Sequence, residues 1–239
     1  MTKITFSDWL RESLHYIGRG PVVWFGSCLV IGLLMPLGRV SLALGVFVSI
    51  GSLFVGVGVA KHIDLKYRAD NPVTLPWALK KSLPLAILAA ASLVFFWGLF
   101  RTIAGIVAGD WQNIVKFFFH WEFTPENLAQ QTTMRALAIW LFGYANVALI
   151  FCLLMLSSFA SWFSYPLMLF RNYGWNAAKE KGRAVLSAYP NAFYKTQGFI
   201  ILQAVLCLSV TPFLTPVLYM LTSTLMYVSY QSLCGGKTR

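Results

Sequence analysis

The chain has 239 residues, of which 58% are hydrophobic, 16% aromatic and only 11% charged. A soluble domain carries about 25% charged and 45–50% apolar residues, so too few charges remain here to build a water-facing surface. The formal net charge of +11 therefore raises the question of where the bases lie relative to a bilayer, and nucleic acid is not an expected partner. Four scattered cysteines, Cys28, Cys152, Cys207 and Cys234, form no CxxC and no Cys/His cluster. Neither a redox motif, a structural zinc nor any other cofactor is expected.

The length fits one membrane domain over residues 1–239. Thr5-Phe-Ser-Asp8 has the form of a capping box, and an interfacial helix is predicted over 5–19. Its apolar residues Phe6, Trp9, Leu10, Leu14 and Ile17 share one side. Such a helix lies in the membrane interface or packs on the protein's own cytoplasmic side. This polar, amphipathic start does not have the form of a removable signal peptide.

Two apolar runs follow, 22–38 and 40–60, forming a tight hairpin with Arg39 at its tip. Each approaches the ~20 residues needed to cross a hydrocarbon core of ~30 Å. In the second, Ser52, Gly56 and Ala60 recur every fourth residue, a small-residue seam suited to close helix packing. Residues 61–81 read as a polar, basic connection, and 82–101 as the third span, with Arg101 at the far interface. The segment from 109 to 134 is dense in aromatic residues: Trp111, Phe117, Phe118, Phe119, Trp121 and Phe123. Aromatics gather at the headgroup level; a sharper reading makes Trp111, Phe118 and Trp121 contacts for a partner. Three consecutive phenylalanines cannot all face one way on a helix, where neighbours are about 100° apart.

The fourth span is predicted over 136–162, followed by an amphipathic basic stretch with Lys179, Lys181 and Arg183, expected to contact anionic lipid. The last apolar region is broken by Thr211-Pro-Phe-Leu-Thr-Pro216. A hairpin with spans over 192–211 and 215–233 fits it better than a single crossing. The fold class is therefore all-α: a polytopic integral membrane bundle of about six transmembrane helices with amphipathic interfacial helices. With the N-terminus inside, 15 of the 19 lysines and arginines fall on the cytoplasmic side. Only Arg39, Arg101, Lys116 and Arg135 fall outside, as the positive-inside rule requires. Both termini are then cytoplasmic.

The chemistry of known enzymes is not evident. All eight acidic residues read as lying in loops or interfacial helices, and no HExxH, GxSxG, P-loop or GxGxxG occurs. Pro166-Leu-Met-Leu-Phe-Arg-Asn-Tyr-Gly-Trp-Asn-Ala-Ala-Lys179, followed by a basic stretch with Ser187 and Asn191, resembles the YciC-type bacterial inner-membrane proteins. It is also similar to the membrane domain that precedes some glycerophosphodiester phosphodiesterases. The resemblance is sharpest over residues 160–200 and implies a helical protein of the bacterial inner membrane. It carries over no catalytic residue, since these 239 residues hold no soluble phosphodiesterase domain.

The expected function is that of a non-enzymatic multi-pass inner-membrane protein: a scaffold, assembly factor or accessory subunit of an envelope complex. Its partners would be the lipid bilayer and other membrane or envelope proteins. The alternative is a carrier or channel for a neutral or amphipathic solute. That reading requires Asn146, Ser157, Gln203 and Ser209 to converge on one polar lining.

Overall fold

The computed structural model describes residues 5–68, 74–110, 112–119 and 121–234, and among these every regular element is helical. Five helical segments are long and apolar enough to cross a membrane: Pro21–Arg39, Leu42–Lys66, Ala78–Ala108, Met134–Phe159 and Pro190–Ser209. The elements are α1 (Phe6–Arg19), α2 (Pro21–Leu34), α3 (Leu42–Arg68), α4 (Leu75–Ala108), α5 (Gln112–Phe118) and α6 (Pro125–Ala129). They continue with α7 (Met134–Phe159), α8 (Ser164–Arg171), α9 (Trp175–Ala188), α10 (Pro190–Ser209) and α11 (Thr215–Cys234).

Cross-helix contacts fix the direction of each long helix. Trp24 of α2 donates from Nε1 to Thr224 of α11 at 3.1 Å, while Gly32 lies against Pro216, so α2 runs against α11. Tyr219 donates to the Ala145 carbonyl at 2.6 Å and Trp162 Nε1 donates to Ser229 at 2.9 Å, so α7 runs with α11. α4 descends against α3, with Ser82 beside Gly58 and Ala90 beside Gly51. The six long helices thus alternate in direction, with α2, α4 and α10 opposed to α3, α7 and α11.

α11 fills the middle of this bundle, and 14 of its 20 residues are buried. Hydroxyls interrupt it, which is why it is absent from the five strongly apolar segments. Those hydroxyls are closed off locally. Thr222 and Thr224 donate to the Leu218 and Met220 carbonyls at 2.8 Å, one turn back on their own helix. A hydroxyl so bonded can be buried without the cost of an unpaired polar group. The chain reverses before it at Pro212–Leu214, a short 3-10 turn. Residues 192–233 therefore form two antiparallel helices, as the proline pattern predicts.

Several boundaries differ from the sequence expectation. The second helix does not stop at residue 60: α3 continues to Arg68, because nothing between Lys61 and Tyr67 breaks a helix and Ile63 and Asp64 face the core. The third does not stop at Arg101 either. α4 continues to Ala108 and ends at Gly109, whose φ of 69° supplies the left-handed cap. At 34 residues it is about 51 Å long at ~1.5 Å per residue, longer than a hydrocarbon core is thick. The fourth helix ends at Phe159, and the chain turns before Pro166, which sits inside α8.

The capping box forms: Thr5 accepts from the Asp8 amide, and the Asp8 carboxylate accepts from the Thr5 amide at 2.8 Å. α1 buries Trp9, Ser13 and Tyr16 against the bundle, while Leu14 is 57% exposed. Of the predicted face, Trp9 is buried, Phe6, Leu10 and Ile17 are half-buried and Leu14 is exposed, so the buried stripe is shifted toward Ser13 and Tyr16. Trp9 finds a polar partner there: its Nε1 donates to Ser232 at 2.9 Å.

The first hairpin turns through Met35–Arg39, and Tyr144 of α7 fills the turn. A Cβ at Gly38 would stand 2.3 Å from the Tyr144 ring, and one at Gly45 would stand 2.3 Å from Gly38 Cα. Tyr144 donates its hydroxyl to the Met35 carbonyl. The seam residues divide. Gly56 lies on α11, where an added Cβ would stand 2.5 Å from Ser223 Oγ; Ala60 is buried at 1% exposure; Ser52 is half-buried and borders a cleft. Ser223 donates to the Leu53 carbonyl at 2.7 Å through the gap that Gly56 leaves.

Gly56→Ala is expected to lower stability by about 1–3 kcal/mol through overpacking. Gly26→Ala, with nothing within 4 Å of the added atom, is expected to be neutral or mildly stabilising. Thermal unfolding of the two variants in one detergent checks the difference.

Candidate functional site

Three features of the fold bear on function: the interior, the rim at the far end and the lateral clefts. In the interior, the four residues required for a polar lining do not meet. Asn146 Nδ2 donates to Thr215 Oγ1 at 2.9 Å, whereas Ser157 accepts from Gln197. Ser209 donates to the Val205 carbonyl at 3.2 Å, and its own carbonyl accepts from Arg135. Gln203 is half-buried on α10. Asn146, Ser157 and Ser209 are thus each engaged by a different neighbour.

The expectation that every acidic residue sits in a loop or interfacial helix fails at Asp64. It is 2% exposed on α3, and Tyr227 of α11 donates to its Oδ2 at 2.8 Å. Tyr16 of α1 stacks edge-on against the same Tyr227 ring at 5.9 Å. A carboxylate with a hydroxyl donor can be buried, and this one joins α3 to α11 where α1 also packs. The signal was present in the sequence: Ala60, Ile63 and Asp64 continue the buried face of α3 by steps of three and four residues. A polar composition masked it.

The rim at the opposite end is built on Arg39. Its guanidinium pairs with Glu122, and its carbonyl accepts from the Glu122 amide at 2.7 Å. Its Cζ also lies 5.1 Å from the Trp140 ring centre, a cation–π contact. Phe123 stacks edge-on against Trp140 at 5.4 Å. The aromatic segment is thereby fastened to the first hairpin. Of the three phenylalanines, Phe117 is buried at 1%, Phe118 is 42% exposed and Phe119 is 83% exposed. The ring facing inward is Phe117; the edges of both Phe117 and Phe118 lie over Gly98 of α4. Trp121 is 62% exposed, with its Nε1 donating to the Phe123 carbonyl at 2.8 Å. Trp111 lies outside the described residues.

The lateral clefts flank α4, which packs chiefly along α3 and leaves its other sides open. One cleft, of about 610 Å³, lies between α2, α3 and α4 and has no charged residue among the described residues of its lining. The other, of about 490 Å³, lies between α4 and α7 and reaches α8 and α9. Its walls are apolar, with Leu88, Leu93, Phe96, Met155 and Phe159 among them, and Ser164, Trp175 and Lys179 also line it.

The three bases grouped by sequence have separate surroundings. Lys181 donates to the Tyr173 hydroxyl at 3.0 Å, and that contact holds its ammonium above the ordinary lysine pKa. Arg183 reaches back to the end of α7, donating to the Ser158 carbonyl at 3.0 Å and the Ala160 carbonyl at 3.3 Å. There it satisfies carbonyls that a helix terminus leaves open and complements its dipole. Lys179 alone of the three lines the cleft.

No family model matches the chain, and no curated protein or solved structure matches it.

Because the Arg39 and Glu122 side chains are only 17% and 26% exposed, their pairing should survive screening better than a surface pair. A double-mutant cycle with Arg39→Ala and Glu122→Gln is expected to give a coupling of about 0.5–3 kcal/mol. Chemical unfolding at low and high salt measures it, and the larger part should persist at high salt.

Proposed function

We propose that the protein is a non-enzymatic multi-pass protein of the bacterial inner membrane, with six spans and both termini in the cytoplasm. In this reading it serves as a scaffold, assembly factor or accessory subunit of an envelope complex. The observation that carries the proposal is the occupied interior. α11 runs through the middle with its hydroxyls bonded to the protein itself, so its polar groups stabilise helix contacts. The surfaces open to a partner or to lipid lie on the outside, at the aromatic rim and along the lateral clefts.

Helix alternation supports six crossings, since α11 runs alongside α7 from Ala145 to Trp162, three residues past the end of α7, through its own contacts. The basic residues supply the orientation by the positive-inside rule. The rim supports a partner role: Trp121 and Phe118 are exposed while the backbone beside them is held by Glu122 and Arg39. Rigid, exposed aromatics bind with little ordering cost, and a few such residues dominate most interfaces.

A reporter that is active only in the cytoplasm, fused after Arg239, is expected to be active. Periplasmic reporter activity at that site would leave an odd number of crossings. Trp121→Ala together with Phe118→Ala is expected to reduce recovery of a co-purifying envelope protein while expression stays at the parental level. Equal recovery of every co-purifying protein would reduce the rim to a headgroup-level belt.

A further inference from the structure

The cleft between α4 and α7 has a polar end that its counterpart lacks. Lys179 is half-buried at its edge and makes no hydrogen bond or ion pair among the described residues. Its neighbours are engaged: Lys181 by Tyr173, Arg183 by the end of α7, and Arg171 by the Cys234 carbonyl at 3.1 Å. Beside it in the lining is Ser164, 1% exposed, whose Oγ has no hydrogen-bond partner. An unpaired buried hydroxyl is unfavourable, and a bound acceptor would offset that. α9 begins in the same place, at Trp175, with no side-chain cap from Gly174. Its first-turn amides therefore remain donors, at the positive end of the helix dipole.

The rest of the cleft is apolar and has the dimensions of an acyl chain site. From Leu85 to Phe96 along α4 is about 16 Å at ~1.5 Å per residue, near half of a ~30 Å hydrocarbon core and so one leaflet deep. The volume of about 490 Å³ lies inside the ~300–1,000 Å³ range of small-ligand sites. Trp175, half-exposed at the polar end, has the indole of an interface-level residue.

We infer that this cleft is a binding site for one anionic glycerophospholipid, its phosphate against Lys179 and the start of α9. Ser164 donates to an ester carbonyl, and one acyl chain lies between α4 and α7. The assignment separates two things that the basic composition of α9 merges. General attraction to an anionic surface would involve every exposed base, whereas a built site depends on Lys179 and not on Lys181. The cleft between α2, α3 and α4 has the apolar walls without the cation, and it binds lipid chains without regard to headgroup charge.

The test uses the full chain in nanodiscs of phosphatidylcholine doped with phosphatidylglycerol, released for native mass spectrometry. The parent is expected to retain phosphatidylglycerol preferentially. Lys179→Gln should lower that preference about fivefold, from ~1 kcal/mol per basic residue at the headgroup level. Lys181→Gln should leave it unchanged. Ser92→Trp, which places a ring in the cleft wall, should remove retention of the preferred lipid altogether. An equal loss with Lys179→Gln and Lys181→Gln would overturn the assignment in favour of diffuse surface attraction. Full retention in Lys179→Gln, or in a folded Ser92→Trp, would place the retained lipid elsewhere and also overturn it. Should Ser92→Trp not fold, the comparison between the two lysine variants decides alone.

Discussion

The fold depends on one close approach, that of α11 to α3 at Gly56. Because that position carries no side chain, Ser223 can reach across and donate to the Leu53 carbonyl. In a bilayer the apolar effect does not favour helix association, since lipid tails are as apolar as leucine. Contact must come from packing and from interhelical hydrogen bonds. A helix rich in Thr and Ser gains from standing in the middle, where its neighbours are other helices and not lipid. α11 takes that place, and α1, α2, α3, α7 and α10 are arranged around it. Polar contacts then join it to its neighbours on different sides: Trp24 to Thr224, Tyr219 to the Ala145 carbonyl and Trp162 to Ser229.

The consequence for function is that polar chemistry is consumed in assembly. Asp64 shows this at one end of the bundle and Arg39 at the other. A buried carboxylate in a membrane helix marks function by default. Here its hydroxyl partner Tyr227 comes from the central helix, and α1 packs at the same point, so Asp64 links three elements. Arg39 likewise ties the first hairpin to the aromatic segment through Glu122 and Trp140. Against that pattern the groups left unengaged stand out. Lys179 and Ser164 sit together at the end of an apolar cleft, next to an uncapped helix start.

The openness of that cleft follows from α4. It is the longest helix in the chain, yet it is held chiefly by α3, through Gly58 against Ser82 and Gly51 near Ala90. Small residues on this one seam bring the two helices close and leave the remaining circumference of α4 to lipid. A helix held along a single edge leaves a groove on either side of that edge. The two clefts have the same origin and differ in what lies at their ends.

Much of the architecture was legible from residues alone, because it follows from quantities that a sequence states directly. Apolar runs of crossing length, the scarcity of charge and the break at Pro212–Pro216 are local properties. They determined an all-helical membrane bundle, the capping of α1 and the final hairpin. The alternation of Phe117 to Phe119 was likewise a matter of helical geometry. What the tertiary structure alone decided is which polar side chains meet. Lys61 to Arg68 looked like a loop because composition was read without a partner, and only the presence of Tyr227 makes a buried Asp64 affordable. Lys179, Lys181 and Arg183 looked equivalent because they lie within five residues of one another. Tyr173, the end of α7 and the wall of α4 distinguish them, and the last two are brought to α9 from elsewhere in the chain. Burial and hydrogen bonding depend on the neighbours that folding supplies, so a chain read one residue at a time specifies its helices before it specifies its sites.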